Sequence, residues 1–133
     1  MKGNILKKFV TGAVAIAATA GSLLVSAGSA GAAPVYFGAI SVSPSTGNIG
    51  TSLDYSSMGQ ARSNSQSTCG PSDCKTLASW SNGCGAVAYS RSARQYTGGA
   101  AANVRAARSA AVAANRGNDA TIVKWACTSN HAV

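Results

Sequence analysis

Two short stretches of this chain occur twice, and the repeat constrains the fold more than any other feature of the sequence. Residues 37–43 (FGAISVS) align with residues 84–90 (CGAVAYS) at a constant shift of 47. Further along, residues 76–82 align with residues 121–127 at a shift of 45. Because the stretches recur in the same order, the sequence predicts one structural unit that is used twice.

The second pair of stretches contains the chain's two tryptophans, Trp80 and Trp125, and the alignment places them at equivalent positions. This shared residue favours a duplication over chance similarity between Ala-rich and Ser-rich strings. We therefore predict repeats over about 35–82 and 83–128.

Each repeat is predicted to have the element order strand, strand, helix, strand. Turn residues and β-branched or alternating stretches predict the strands, at 37–43, 49–55, 75–80, 85–90, 95–98 and 121–127. Helices are predicted at 57–68 and 104–115, the second beginning after Asn103 as its N-cap and stopped by Gly117. The pattern indicates an α+β fold of antiparallel sheet and two helices.

The two predicted helices differ in composition. The first is rich in Ser, Asn and Gln and contains Gly59, so its intrinsic helix propensity is poor and its prediction depends on the repeat. In the second, small apolar residues share one side, which suits close packing on a sheet. Arginines occupy another side, namely Arg105, Arg108 and Arg116.

The N-terminus has the three parts of a secretory signal peptide. Lysines at 2, 7 and 8 precede an uncharged apolar run over residues 9–25, and Ala30-Gly31-Ala32 supplies small residues for cleavage. We predict a signal peptide over 1–32 and a single secreted, extracellular domain over 33–133, with no membrane span after cleavage. The alternative is an uncleaved anchor, but the run is short and weakly hydrophobic for spanning a bilayer.

The predicted mature chain contains four cysteines, Cys69, Cys74, Cys84 and Cys127. An even number in an exported chain of this size predicts two disulfides. Cys69 and Cys74 bracket a tight four-residue loop, and this spacing differs from the Cys-x-x-Cys of redox sites. Cys84 begins the first strand of its repeat and Cys127 ends the third, so antiparallel pairing would bring them together. We predict the pairs Cys69–Cys74 and Cys84–Cys127.

Five motifs of the chain resemble a known family. They are YFGAI at 36–40, C-x4-CK at 69–75, CGAVAY at 84–89, YTGG at 96–99 and VKWAC at 123–127. Together and in this order they are similar to domain of unknown function 4189, whose members are small secreted proteins frequent in actinobacteria such as mycobacteria. The resemblance implies export, a disulfide-linked domain and a role at the cell surface or towards a host, without an assigned chemistry. The polar first helix departs from what the family leads us to expect.

The titratable residues do not indicate a catalytic site. The predicted mature chain lacks glutamate, and its one histidine, His131, is two residues from the C-terminus, where a rigidly held base is not expected. The three aspartates, Asp54, Asp73 and Asp119, are predicted to be turn and cap residues. We therefore predict no catalytic residues, no cofactor and no metal site, since the cysteine spacing also matches no usual zinc pattern.

Basic residues give the only candidate binding site. With the signal peptide removed, eight Lys and Arg residues face three aspartates, a net charge of +5. The candidates for binding an anion or a partner are Arg91, Arg94, Arg105, Arg108 and Arg116. The alternative is an ordinary solvated face. Secretion disfavours DNA as a partner, and the scarcity of interleaved aromatic residues disfavours single-stranded nucleic acid.

These observations favour a secreted, non-enzymatic interaction protein that acts at the cell envelope or on a host. Its partner would be a protein or an anionic envelope or host surface. Two alternatives remain open at this stage. One is a small secreted hydrolase or toxin that uses His131 with an aspartate, and the other is an inhibitor of another secreted enzyme that presents the turn at 44–48.

Overall fold

The computed structural model describes residues 34–130, so the predicted signal peptide and His131 lie outside the described residues. The elements are β1 (Phe37–Val42), β2 (Ile49–Tyr55), α1 (Met58–Cys69), β3 (Lys75–Ser81), β4 (Cys84–Ser90), β5 (Gln95–Ala101), α2 (Val104–Ala113) and β6 (Thr121–Cys127). The predicted α+β fold of two strand–strand–helix–strand units is confirmed. Within the described range, no helix is long and apolar enough to cross a membrane.

Each unit forms its own three-stranded antiparallel sheet, with the first strand of the unit in the centre. The strand orders are β2-β1-β3 and β5-β4-β6. Each helix packs on its own sheet, and the other faces of the two sheets meet in an apolar core. This core contains Ile40, Val42, Ala78, Trp80, Val87 and Ala126. The chain therefore forms two layers of sheet with a helix packed on each.

Trp80 is the largest side chain in the core between the sheets, and it is only 5% exposed. Its ring lies against Gly38, its neighbour on β1, and against Gly85 of the other sheet. A Cβ atom at either glycine would clash with the indole. The two glycines therefore make room for one tryptophan, and this insertion joins the two units.

Trp125 is not the counterpart of Trp80, and the prediction that the two are equivalent is wrong. Trp80 of β3 pairs with Gly38 of β1. The equivalent glycine of the second unit is Gly85, and it pairs with Ala126 and not with Trp125. Because side chains alternate between the faces of a strand, a shift of one residue moves Trp125 to the opposite face. Its side chain is 42% exposed. The third strands are thus related by a shift of 46 residues, not 45.

Helix α1 forms despite its poor propensity. The Ser57 side chain caps its N-terminus by accepting from the Gln60 N–H, and Ala61 and Ser65 are buried against the sheet. The Ser65 hydroxyl lies 2.6 Å from that of Ser41 on β1, so the polar face is hydrogen-bonded where it is buried. Tertiary packing therefore overrides local propensity here.

In the second unit, Asn103 caps α2 as predicted, but the helix stops earlier than expected. The C-cap is Ala114 in right-handed helical geometry, so the prediction that Gly117 stops the helix is wrong. Gly117 packs against the Ser90 side chain instead. Strand β5 also runs to Ala101, beyond its predicted end at Gly98, because residues 99–101 continue to pair with β4.

Both predicted disulfides are present. Cys69–Cys74 closes the short connection between α1 and β3. Cys84 and Cys127 are direct register partners on β4 and β6, so their bond links the two ends of the second unit. Antiparallel pairing of these strands accounts for the second bond, as the sequence predicts.

Candidate functional site: a basic and aromatic face on the second unit

The five candidate arginines are all exposed, and the structure places them in separate regions. Arg105 and Arg108 line a groove of about 480 Å³ between α2 and β6. Arg91 and Arg94 lie in the turn between β4 and β5 and line a different cleft. Arg116 follows α2, and its backbone N–H donates to the Gln95 side chain at 2.9 Å.

The groove beside Arg105 and Arg108 continues onto the outer surface of β6. We call this surface the α2–β6 face; it comprises Arg105, Arg108, Val112, Ile122, Val123, Lys124 and Trp125. Of the five large apolar side chains exposed in the described part of the chain, three lie here: Val112 at 39%, Trp125 at 42% and Val123 at 43%. Exposed apolar surface rimmed by charge is typical of an interaction site.

Strand β6 is irregular in this region, and β3 has an irregularity at the equivalent position. The register between β4 and β6 shifts between Val87 and Ala88, so that Val123 has no partner on β4. Such a bulge redirects the neighbouring side chains. Strand β6 also lies at the edge of its sheet, so one side of its backbone is not paired within the sheet.

The first unit has the same groove between α1 and β3, lined by different chemistry. There the Arg62 guanidinium donates to the Ser79 hydroxyl at 3.4 Å, and the Gln66 amide donates to the Thr76 hydroxyl at 3.2 Å. Ser79 stands at the position of Trp125, and Thr76 at the position of Ile122. The first groove therefore satisfies its own polar groups.

Two of the three aspartates hold turns, as their sequence context predicts. Asp119 accepts hydrogen bonds from the Ser90 hydroxyl and from the hydroxyl and backbone N–H of Ser92. These bonds, that of Ser90 first, lower the pKa of Asp119 to about 2. In the first unit Asp73 accepts from the Ser43 hydroxyl at 2.6 Å, which lowers its pKa as well.

Asp73 and Asp119 are therefore charged hydrogen-bond acceptors at neutral pH and poor candidates for proton transfer. Asp54 accepts from the backbone N–H of Ser129 at 2.9 Å. Residues 34–130 contain no group of His, Cys, Asp and Glu side chains that could hold a metal ion. His131, on which the hydrolase alternative depends, lies outside the described residues.

Sequence reasoning found Arg105 and Arg108 but missed Val123, Lys124 and Trp125. The misleading signal was Trp125 itself, because the alignment placed it at the position of Trp80, which is buried in the structure. The informative signal was the disulfide two residues later. The bond to Cys84 fixes the face of β6 on which the Cys127 side chain lies. Trp125 is two residues away, so its side chain lies on that same face.

The comparisons with known proteins agree on a family. The family model "Domain of unknown function (DUF4189)" matches residues 37–127. The NMR structure of Rv1813c from Mycobacterium tuberculosis is similar, with 34% sequence identity and a TM-score of 0.55. The match covers 70% of this chain and 75% of that one. None of the curated proteins matches the chain. The chain therefore belongs to the DUF4189 family.

Proposed function

We propose that this chain is an exported interaction protein without enzymatic activity, and that its α2–β6 face binds an acidic protein. Export is supported by the signal-peptide pattern of residues 1–32 and by two disulfides, which persist in oxidising compartments. The relative from Mycobacterium tuberculosis supports an actinobacterial origin. Action at the envelope or on a host is part of the same proposal.

A single observation carries the binding proposal: the second groove combines cations with exposed apolar side chains. Trp and Arg are the residues that most often dominate binding energy at protein interfaces. Here Trp125 lies beside Arg108 at one groove, and Lys124 adds a further positive charge. Positive charge at the rim favours an acidic partner and speeds its approach.

An acidic protein fits this face better than an anionic membrane. Each Lys or Arg near an anionic bilayer contributes about 1 kcal/mol, so the three cations of the face would give weak attachment. A protein can in addition pair with the backbone of the edge strand β6 and cover the Trp125 ring. The cations of the face, the Trp125 ring and the unpaired edge of β6 would then all contribute to binding the same partner.

The test compares equivalent charge reversals in the two units. The protein, purified after export, is immobilised and exposed to envelope and culture-filtrate fractions, and bound proteins are identified by mass spectrometry. We expect the double variant Arg105→Glu/Arg108→Glu to lose at least about tenfold in affinity for the captured acidic protein. Arg108→Glu alone should also weaken capture, whereas Arg62→Glu, the equivalent single reversal in the first unit, should retain it.

Three outcomes would count against the proposal. Undiminished capture by the double variant would exclude the α2–β6 face as the binding site. Equal loss in the Arg62→Glu control would indicate an effect of net charge. Binding to vesicles of anionic lipid with no acidic protein retained would replace the protein partner with a membrane surface.

A further inference from the structure

A second cleft lies between the two units, apart from the α2–β6 face. It has a volume of about 510 Å³ and is lined from both units. The first unit contributes Pro44 of the β1–β2 turn and Lys75 at the start of β3. The second contributes Arg91 and Arg94 from the β4–β5 turn. A cleft of this size suits a small organic molecule.

The charged residues that line this cleft are all cationic. Lys75, Arg91 and Arg94 line it, and the residues around it include no carboxylate. The nearest aspartates along the chain are engaged elsewhere: the Asp73 carboxylate accepts from Ser43, and that of Asp119 from Ser90 and Ser92. Both aspartates keep their negative charge, but neither lines the cleft, whose lining has three cationic residues and no carboxylate.

One wall of the cleft is aromatic. Tyr89 and Tyr96 are direct cross-strand partners on β4 and β5, and their ring centroids lie 4.4 Å apart. Both rings are half-buried, and a Cβ atom at Gly47 in the first turn would lie 3.4 Å from the Tyr96 hydroxyl. The pair is thus held between the sheet below and the turn of the other unit. The two ring planes are tilted by 39°, and together they give the cleft an aromatic wall against which a ligand ring can pack.

We propose that this cleft binds a small phosphate monoester with a planar ring. The phosphate would be held by Lys75, Arg91 and Arg94, because guanidinium groups match phosphate oxygens in pairs of hydrogen bonds. The ring would lie against Tyr89 and Tyr96. A dianion uses the three positive charges better than a single carboxylate does, and this decides the ligand class.

The proposal is tested by NMR titration of the exported protein with three probes. These are a nucleoside 5′-monophosphate, the same nucleoside and inorganic phosphate. We expect the monophosphate to shift the backbone amides of residues 75–77 and 89–96 saturably. The nucleoside and inorganic phosphate should each bind at least about tenfold more weakly, because each retains only half of the contacts.

Matched variants separate the cleft from general charge. Arg91→Gln/Arg94→Gln should weaken binding of the monophosphate at least about tenfold, whereas Arg105→Gln/Arg108→Gln removes the same charge from the α2–β6 face and should leave it unchanged. Equal loss in both variants, shifts that spread along α2, or no saturable shift would overturn the proposal. Equal affinity for inorganic phosphate would overturn the role of the two tyrosines. A failure here leaves the acidic-partner proposal standing, since the two sites share no residue.

Discussion

Both units have a groove between the helix and the third strand, and the backbone around the two grooves is similar. The side chains that line the two grooves differ in polarity. In the first unit, Arg62 donates to Ser79 and Gln66 donates to Thr76, so the groove is closed by its own hydrogen bonds. In the second, Arg108 lies with Ile122 and Trp125 along a groove in which the side chains of Val123 and Trp125 are exposed. Ile122 and Thr76 also contact the packing under α2 and α1, whereas the outer positions, Trp125 and Ser79, belong to neither core cluster.

The buried side of the helices shows a related difference. Under α1 the Ser41 hydroxyl lies 2.9 Å from the Thr76 hydroxyl and also contacts Ser65. Under α2 the contact is made by alanines, among them Ala88 and Ala111. The first unit thus uses hydrogen bonds both inside and outside its helix, whereas the second uses apolar contacts in both places. The comparison indicates that, of the two grooves, the one in the second unit exposes more large apolar side chains to a partner.

The largest expected difference in the free energy of unfolding is between variants of the two tryptophans. Trp80→Ala should lower the free energy of unfolding by about 3–5 kcal/mol, because it empties the space between Gly38 and Gly85. Trp125→Ala, on the exposed face, should cost less than about 1 kcal/mol. Urea unfolding at neutral pH, followed by circular dichroism, measures both. Similar costs for the two variants would contradict the distinction between a core ring and a surface ring.

The two disulfides should also differ in their contribution. Removing Cys84–Cys127, with a sequence separation of 43, should lower the free energy of unfolding by about 4 kcal/mol. Removing Cys69–Cys74, with a separation of 5, should cost about 2 kcal/mol, because the loop that it closes is short. Double Cys→Ala variants of each pair, unfolded in urea without reductant, provide the measurement. A larger cost for the short loop would show that strain or local packing outweighs chain entropy.

The repeat allowed most of the fold to be predicted. Strands β2 and β6 occur at their predicted positions, and α1, whose residues alone argue against a helix, was predicted because α2 has a clear apolar side. The alignment was wrong by one residue at Trp125, because it matched the two tryptophans by residue type. The face of the strand, which alternates from residue to residue, determines whether a side chain is buried. Whether the units share one sheet was not predictable, because that depends on how Trp80 inserts between them.

The candidate site was predictable only in part. Helical spacing places Arg105 and Arg108 together, and this required no tertiary information. Arg91 and Arg94 were joined to them because the hairpin and the helix are close in sequence, but the structure places these two beside Lys75, which comes from the other unit. A cleft between two units depends on their packing, which local patterns do not encode.

The smallest effect concerns the two turns that Asp73 and Asp119 hold. The Ser90 and Ser92 hydroxyls and the Ser92 N–H stabilise the charged form of Asp119 and lower its pKa to about 2. A carboxylate whose pKa is lowered on folding stabilises the fold above its unfolded value, here 3.8, and this contribution is lost as the pH falls through about 2. The pKa of Asp73 is lowered less far, and the Ser43 hydroxyl is its main cause.

We therefore expect Asp73, in the first turn, to become protonated at a higher pH than Asp119, in the second. NMR titration of the side-chain carboxyl carbons should give a midpoint near 2 for Asp119 and a higher one for Asp73, still below 3.8. In urea unfolding, Asp119→Asn should lower stability at neutral pH and remove part of its decline between pH 3.8 and about 2, because the variant has no carboxylate to protonate. A midpoint for Asp119 at or above that of Asp73 would mean that the Ser92 hydroxyl, 2.6 Å from Asp119, lowers the pKa no more than Ser45 does at Asp73.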